Sequence, residues 1–361
     1  MKKIVKNSIA LLPALFIALA LTFNSCEKDS DGSPDIKPGN PVLGSVTPTS
    51  GAGGVLVTVT GTGLGDMQAV IFEKDSVPTY LMSTLNTETV LMFRVPADAA
   101  GGSQNIILMN SEGKTLLVPF NVLAFPSVTS VSNYNFNEGT RITLTGNNLN
   151  DVTKVLLTGT TDEATIVSQT RKEMVITMPA TSVNRAKLDI TNVTGLTTTT
   201  QEFVCINNNF IMYADAWGPG AYNSGVQSWS YGCNVSETSD QFMSGTKSLK
   251  VDYVDGGLSL FLGSDWADPM HVFTDWYTPA FISFWAKGDG KSLSLRVIPD
   301  SPPWDGTYSG SGEKIVEVPA DVWTYFKFPA SVISGKYGRL NIVIYGSTDK
   351  TVYLDDLLYI Q

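Results

Sequence analysis

Histidine occurs once in the 361 residues, at His271, and cysteine three times, at Cys26, Cys205 and Cys233. A zinc cluster of His and Cys therefore has no ligand set. A Ser-His-Asp site would have to use His271, and no serine stands in a Gly-x-Ser-x-Gly turn. No phosphate-binding loop occurs either. Positive charge is scarce, with 24 Lys and Arg against 34 Asp and Glu and a formal net charge of −10. Such a chain is a poor partner for nucleic acid or an anionic membrane face and suits a neutral ligand better. No stretch of residues 41–204 sustains a helical hydrophobic period. In residues 207–361 the only glutamates are Glu237, Glu313 and Glu317. A glycoside hydrolase needs two carboxylates across a cleft, and no motif frames such a pair there.

What the chain does have begins at its first residues. Lys2, Lys3 and Lys6 precede an apolar run from Ile9 to Leu21, followed by Thr22-Phe23-Asn24-Ser25-Cys26. That order marks a secretory signal peptide, and the run is short for a membrane span. Ser25 before Cys26 resembles a bacterial lipoprotein box, which implies removal of residues 1–25 and lipidation of Cys26. Removal takes away three lysines and no acid, so the charge goes from −10 to −13. Residues 26–40, with Glu27-Lys28-Asp29-Ser30-Asp31-Gly32-Ser33-Pro34, read as a flexible acidic tether. The acidic stretch also resembles the surface-export signal of Bacteroidetes lipoproteins; a plain solvated linker has the same composition. In an exported protein Cys205 and Cys233 are open to pairing, but two cysteines carry no framework information.

From Pro41 to Val204 the chain is strand-like, with β-branched runs such as Val55–Thr60 and Arg141–Thr145 that end in Gly. The region repeats itself. Val57-Thr58-Val59-Thr60-Gly61-Thr62-Gly63-Leu64 matches Ile142-Thr143-Leu144-Thr145-Gly146-Asn147-Asn148-Leu149, with 85 residues between Gly61 and Gly146. That period is the size of one small β-sandwich and places domains at 41–124 and 125–206. With Val46-Thr47-Pro48-Thr49-Ser50-Gly51 and Gly54 ahead of it, the first repeat resembles the opening of an IPT/TIG immunoglobulin-like domain. The second keeps Gly139 and Gly146, but has Asn133-Tyr134-Asn135 where the family has Pro-x-x-Gly. The resemblance implies a fold and no one function, since such domains serve as spacers, dimerisation units and nucleic-acid binders.

Residues 207–361 change character. All seven Trp and 11 of the 13 Tyr lie there, among many short strand-like runs. This is the pattern of a larger β-sandwich, long enough to bury its own core. Trp285, inside the apolar run Phe281–Trp285, reads as core, and Trp323, alternating with Tyr325, as core or edge packing. Trp217, Trp229, Trp266, Trp276 and Trp304 sit in turn-like segments rich in Gly, Pro and Asp. Rings on turns make an exposed apolar platform, and with Asp265, Asp305 and Tyr308 beside them they suit a sugar, whose C–H face stacks on a ring while its hydroxyls donate to carboxylates. A protein partner is the rival for such a patch. The shortage of arginine, only Arg296 and Arg339 in this region, favours sugar.

The order of lipoprotein box, acidic tether, two IPT/TIG-like units and a Trp-rich sandwich resembles the surface glycan-binding lipoproteins of Bacteroidetes polysaccharide-utilisation loci, of the glycan-binding protein B type. The resemblance implies an all-β, non-catalytic protein on the outer membrane, lipid-anchored and facing the exterior. It also implies a polysaccharide ligand, a β-glucan such as xyloglucan or mixed-linkage glucan, and association with a glycan importer and surface glycanases. An adhesin or other protein-binding component is the alternative, with a glycoside hydrolase behind it. No cofactor is expected apart from calcium. Asp215 and Asp355-Asp356 resemble the acidic groups of carbohydrate-binding jelly rolls that hold structural Ca²⁺, and turn hydrogen bonds or salt bridges are the competing reading of the same residues.

Overall fold

The computed structural model describes residues 37–82, 86–219, 226–261, 278–300, 312–333, 339–346 and 349–361. The signal segment and Cys26 lie outside them. The described residues are all-β and form two compact units, one of residues up to Ala99 with Ser103–Val122, the other of Ala100–Gly102 with Leu123–Gln361.

In the first unit β1 (Val42–Thr47), β3 (Leu56–Thr62) and β6 (Val90–Arg94) form one sheet. The facing sheet contains β2 (Ser50–Gly51), β4 (Met67–Phe72), β5 (Val77–Thr79), β7 (Gly102–Asn110) and β8 (Thr115–Val122). Inward positions alternate with outward ones, as in β7, where Ile106 and Leu108 are fully buried. The second unit opens on the same plan. There β9 (Ser127–Val131), β11 (Arg141–Asn147), β13 (Thr165–Gln169) and β14 (Glu173–Thr177) form one sheet. Opposite lie β10 (Asn135–Phe136), β12 (Val152–Leu157), β15 (Arg185–Ala186), β16 (Leu188–Asn192), β17 (Leu196–Thr198) and β18 (Phe203–Cys205).

The repeated Thr-Gly-x-x-Leu has a physical cause. A Cβ on Gly61 would stand 2.1 Å from the carbonyl oxygen of Val42, and one on Gly146 1.8 Å from that of Ser127. The first strand of each sandwich thus crosses its neighbour where no side chain fits, and Leu64 and Leu149 are fully buried just beyond. Gly146→Ala should therefore push β9 off β11 and cost about 1–3 kcal/mol. Urea unfolding reads that loss, and an unchanged midpoint would contradict the close approach.

The rest of the second unit is a sandwich of β19 (Phe210–Ala214), β20 (Ala216–Trp217), β21 (Gln227–Thr238), β22 (Ser248–Phe261), β23 (Phe281–Gly288), β24 (Leu293–Asp300), β25 (Lys314–Val318), β26 (Thr324–Pro329), β27 (Arg339–Tyr345) and β28 (Lys350–Ile360). The long β21–β22 hairpin belongs to both of its layers. Leu249–Tyr253 pair with β28, whereas Gly257–Phe261 pair with β27. The switch falls at a bulge where Gly232 and Gly256 have φ of 65° and 68°, conformations that suit Gly. One layer is thus β26-β23-β28 with β19 and the first half of β22, and the other is β25-β24-β27 with the second half. Leu249, Val251, Leu258, Leu260, Leu295, Ile342 and Leu354 fill the space between.

β28 is buried from Val352 through Ile360, on both faces. Its inner face meets the sandwich core. Its outer face meets the preceding IPT/TIG-like sandwich, where Val204 and Ile206 pack with Leu358 and Ile360. Asn133-Tyr134-Asn135, the run that breaks the IPT/TIG pattern, makes the next contacts. The Asn133 side-chain oxygen accepts from Trp285 Nε1 at 3.2 Å, and the Tyr134 ring stacks on Tyr325 at 4.7 Å. Asn135 Nδ2 donates to Asp356 at 3.2 Å. Glu202 takes both Arg185 of its own sandwich and Lys327 of the next. Burial alone would raise the Glu202 carboxyl, but the two cations outweigh it and hold the group below its ordinary value. Cys205 lies in the earlier core and Cys233 in the later one, both buried and free.

Candidate functional site

In antiparallel sheets, directly paired residues share a face, so the register defines what the layer of β21, β22, β27, β24 and β25 presents outward. Leu258, Leu260, Leu295, Val297, Leu340 and Ile342 point into the core. The alternate residues point away from it. One row is Tyr231, Gly257, Val343, Arg296 and Ile315. A second holds Asn341 and Ile298, in register with positions 259 and 229, and a third is Tyr345, Ser294 and Glu317. Tyr231 is 54% exposed and Tyr345 49%. Arg296 pairs with Glu313, and Ser294 Oγ donates to Glu317 at 2.6 Å. The face therefore combines two half-exposed phenol rings with carboxylates and a guanidinium. Such a surface covers an apolar ring face and hydrogen-bonds a rim of hydroxyls.

The strand ends at one rim of this face lie side by side. Gln227 pairs with Phe261, Phe261 with Arg339, and Arg339 with Asp300. Phe261 leads into residues 262–277 and Asp300 into 301–311. Trp266, Trp276 and Asp265 fall in the first of these segments, and Trp304, Asp305 and Tyr308 in the second; all six lie outside the described residues.

Two expectations about turn placement are corrected. Trp217 stands in strand β20, paired to Tyr213, with its ring 5.2 Å from the Tyr213 ring and packed on the core. It flanks β19 in the other layer. Trp229 stands inside β21, at a strand register position opposite Ser259. Trp285 is buried, as expected of a core ring, but its cover includes Tyr134 of the neighbouring sandwich. Trp323 packs at an edge, with the Lys287 ammonium 5.5 Å from its ring centre. Tyr231 and Tyr345 were not singled out in the sequence, although the alternation Ser228-Trp229-Ser230-Tyr231 marks a one-sided strand.

The three aspartates with a calcium resemblance engage in turn hydrogen bonds. Asp215 accepts from the backbone N–H of Thr246 and Lys247 at 2.6 and 2.7 Å. Gly245, with φ of 62°, leaves room for that carboxylate. Asp355 accepts from the N–H of Met243 and Ser244, and Asp356 from Ser244 Oγ and Asn135. Burial, and then the charge of Asp356, pushes Asp355 up to about 7, and burial pushes Asp356 up to about 6. Among the described residues no group of three or more His, Cys, Asp and Glu is placed to hold a metal ion.

Comparison with known proteins bears on both parts of the chain. Residues 41–121 and 126–204 each match the IPT/TIG domain. No curated protein matches the chain in sequence. Among solved structures, the surface glycan-binding protein PbSGBP-B from Prevotella bryantii is similar, with a TM-score of 0.53 at 15% identity over 89% of this chain and 98% of that one. SGBP-B from a complex xyloglucan utilization locus in Bacteroides uniformis has a TM-score of 0.42 at 16% identity, covering 88% and 98%. The mixed-linkage glucan utilization locus SGBP-B of Bacteroides ovatus, solved with a mixed-linkage heptasaccharide, has 0.31 at 12%, covering 87% and 74%. The chain thus carries two tandem IPT/TIG domains followed by a larger β-sandwich, in a fold similar to that of the surface glycan-binding protein PbSGBP-B.

Proposed function

We propose that this chain is a non-catalytic surface lipoprotein that captures a polysaccharide on the outer face of the β21-β22-β27-β24-β25 layer. The observation that carries the reading is the pair of half-exposed rings, Tyr231 and Tyr345, on one sheet face. The rim where Phe261 and Asp300 meet Arg339 supports it, because the segments that follow hold Trp266, Trp276, Trp304, Tyr308, Asp265 and Asp305. These residues, with Trp229, complete the proposed site; Trp217 is left to core packing. The β-glucan class, xyloglucan or mixed-linkage glucan, follows the resemblance of the domain order, and a similar fold belongs to a protein named as a surface glycan-binding protein. Glu313 and Glu317 are each bonded to a neighbour, in keeping with a binding surface. Lipid on Cys26 anchors the protein to the outer membrane with the tether giving reach. Holding the polysaccharide there raises its concentration near surface glycanases and an importer.

Affinity electrophoresis of the chain from residue 27 onward, against xyloglucan, mixed-linkage β-glucan, laminarin, mannan and starch, tests the reading. Retardation by one of the first two is expected. A folded chain that binds none of the panel would turn the exposed rings into a protein-docking surface.

A further inference from the structure

We propose that the second IPT/TIG domain and the terminal sandwich fold and melt as a single cooperative unit, the former serving as the outer cover of the latter's β28 layer and not as a spacer. The inference stands on the joint between them and is independent of any ligand.

A sheet that faces solvent on one side alternates buried and exposed residues. β28 does not: nine consecutive residues from Val352 are buried, Tyr353 and Asp355 against Lys287, Met243 and Ser244 of the same sandwich and Asp356, Leu358 and Ile360 against the other domain. The contacts are of three kinds. Apolar area is shared at Leu358 and Ile360. Aromatic stacking inserts Tyr134 beside Tyr325 and Trp285. Buried polar groups find partners across the joint: Trp285 Nε1 donates to Asn133, and Asp356, which also accepts from Ser244 Oγ of its own sandwich, accepts from Asn135. A buried donor or carboxylate that loses its partner costs more than the bond contributed, so opening the joint penalises the sandwich twice, through wetted apolar surface and through orphaned polar atoms. The local sequence agrees. Asn133-Tyr134-Asn135 is where the second repeat departs from the first, and all three side chains face the sandwich. A spacer has no use for that departure.

All seven Trp lie in residues 207–361, so tryptophan fluorescence reports the terminal sandwich, with Trp285 also sensing the joint through Asn133 and Tyr134. Leu144 is fully buried in the core of the second IPT/TIG domain. Leu144→Ala in the full chain should lower the thermal midpoint read by tryptophan by about 6–12 °C, although the lesion lies in the other domain. Ile190→Val, a milder lesion of the same core, should lower it by a few degrees and covers the case in which the first variant fails to fold. Asn133→Ala and Trp285→Phe each remove the same hydrogen bond, so the double variant should melt close to the worse single one. An unmoved tryptophan midpoint in Leu144→Ala and Ile190→Val, with a separate earlier calorimetric transition, overturns the proposal. So does full additivity of the Asn133 and Trp285 effects.

Discussion

Replacing Tyr231 and Tyr345 together by Ala should lower glycan affinity by about 100-fold or more, with each single change giving about 10- to 50-fold. A sugar stacked on a phenol ring buries on the order of 100 Å² of apolar surface, worth roughly 2.5 kcal/mol before ordering costs. Two strand spacings and two residues separate the rings, about 12 Å, so a chain of sugars touches both and a single sugar does not. The rings are half exposed, and their removal should leave the melting temperature nearly unchanged. Calorimetric titration with the glycan identified by electrophoresis reads the affinity. Tyr→Phe at both positions should retain most of it, because the ring face survives. Full affinity in the double Ala variant would move the site off this face.

The second large effect is on stability against pH. Asp355 and Asp356 sit at about 7 and about 6 in the folded protein, against an ordinary 3.8. Values raised by folding mean that the folded state binds more protons than the unfolded chain between about pH 4 and 7. Stability is therefore greatest at the acid side of that window and falls as pH rises through it. Asp355 faces Asp356, the N–H groups of Met243 and Ser244, and the field of buried Tyr213; Asp356 also feels Asp215. No cation among these offsets the paired charge. With a chelator keeping divalent ions off the carboxylates, the tryptophan-detected midpoint should be higher at pH 5 than at pH 8, reflecting a stability difference on the order of 3 kcal/mol. Asp356→Asn should flatten the profile and raise the midpoint at pH 8. A midpoint that falls on going from pH 8 to 5 would mean that the pair is stabilised as anions.

Much of this architecture is legible in the sequence, for reasons that can be named. Gly61 and Gly146 mark the repeat because a crossing strand leaves no room for a Cβ, a local constraint that shows as an invariant of the two halves. The runs Phe281–Trp285, Leu293–Val297 and Leu340–Ile344 fall within β23, β24 and β27 because β-branched and aromatic residues fit a pleated, half-buried surface. The joint is different in kind. Trp285 reads as core from its neighbours, but the atom that accepts its N–H is 152 residues away, and no periodicity carries information over that distance. Gly218-Pro219 after Trp217 and Gly232 after Trp229 read as turn signals, yet both Trp lie in strands, Trp229 paired opposite Ser259. Tyr345 closes β27 just before Gly346, and only the register shows it on the face of Tyr231.

The place of β28 in chain order gives folding a direction. It lies between β23 on one side and β19 with β22 on the other, yet it is the last of these strands in chain order, so synthesis from the N-terminus delivers it after the others. Until residues 350–360 arrive, β19, β22 and β23 have no shared partner, Tyr134 has no closed aromatic slot and the sandwich waits open. A chain clipped by a dozen residues would lose the centre of a layer instead of an edge. Delivery of the whole segment is thus the event that commits two domains at once, and the interval before it is when the exposed strands most need protection from one another.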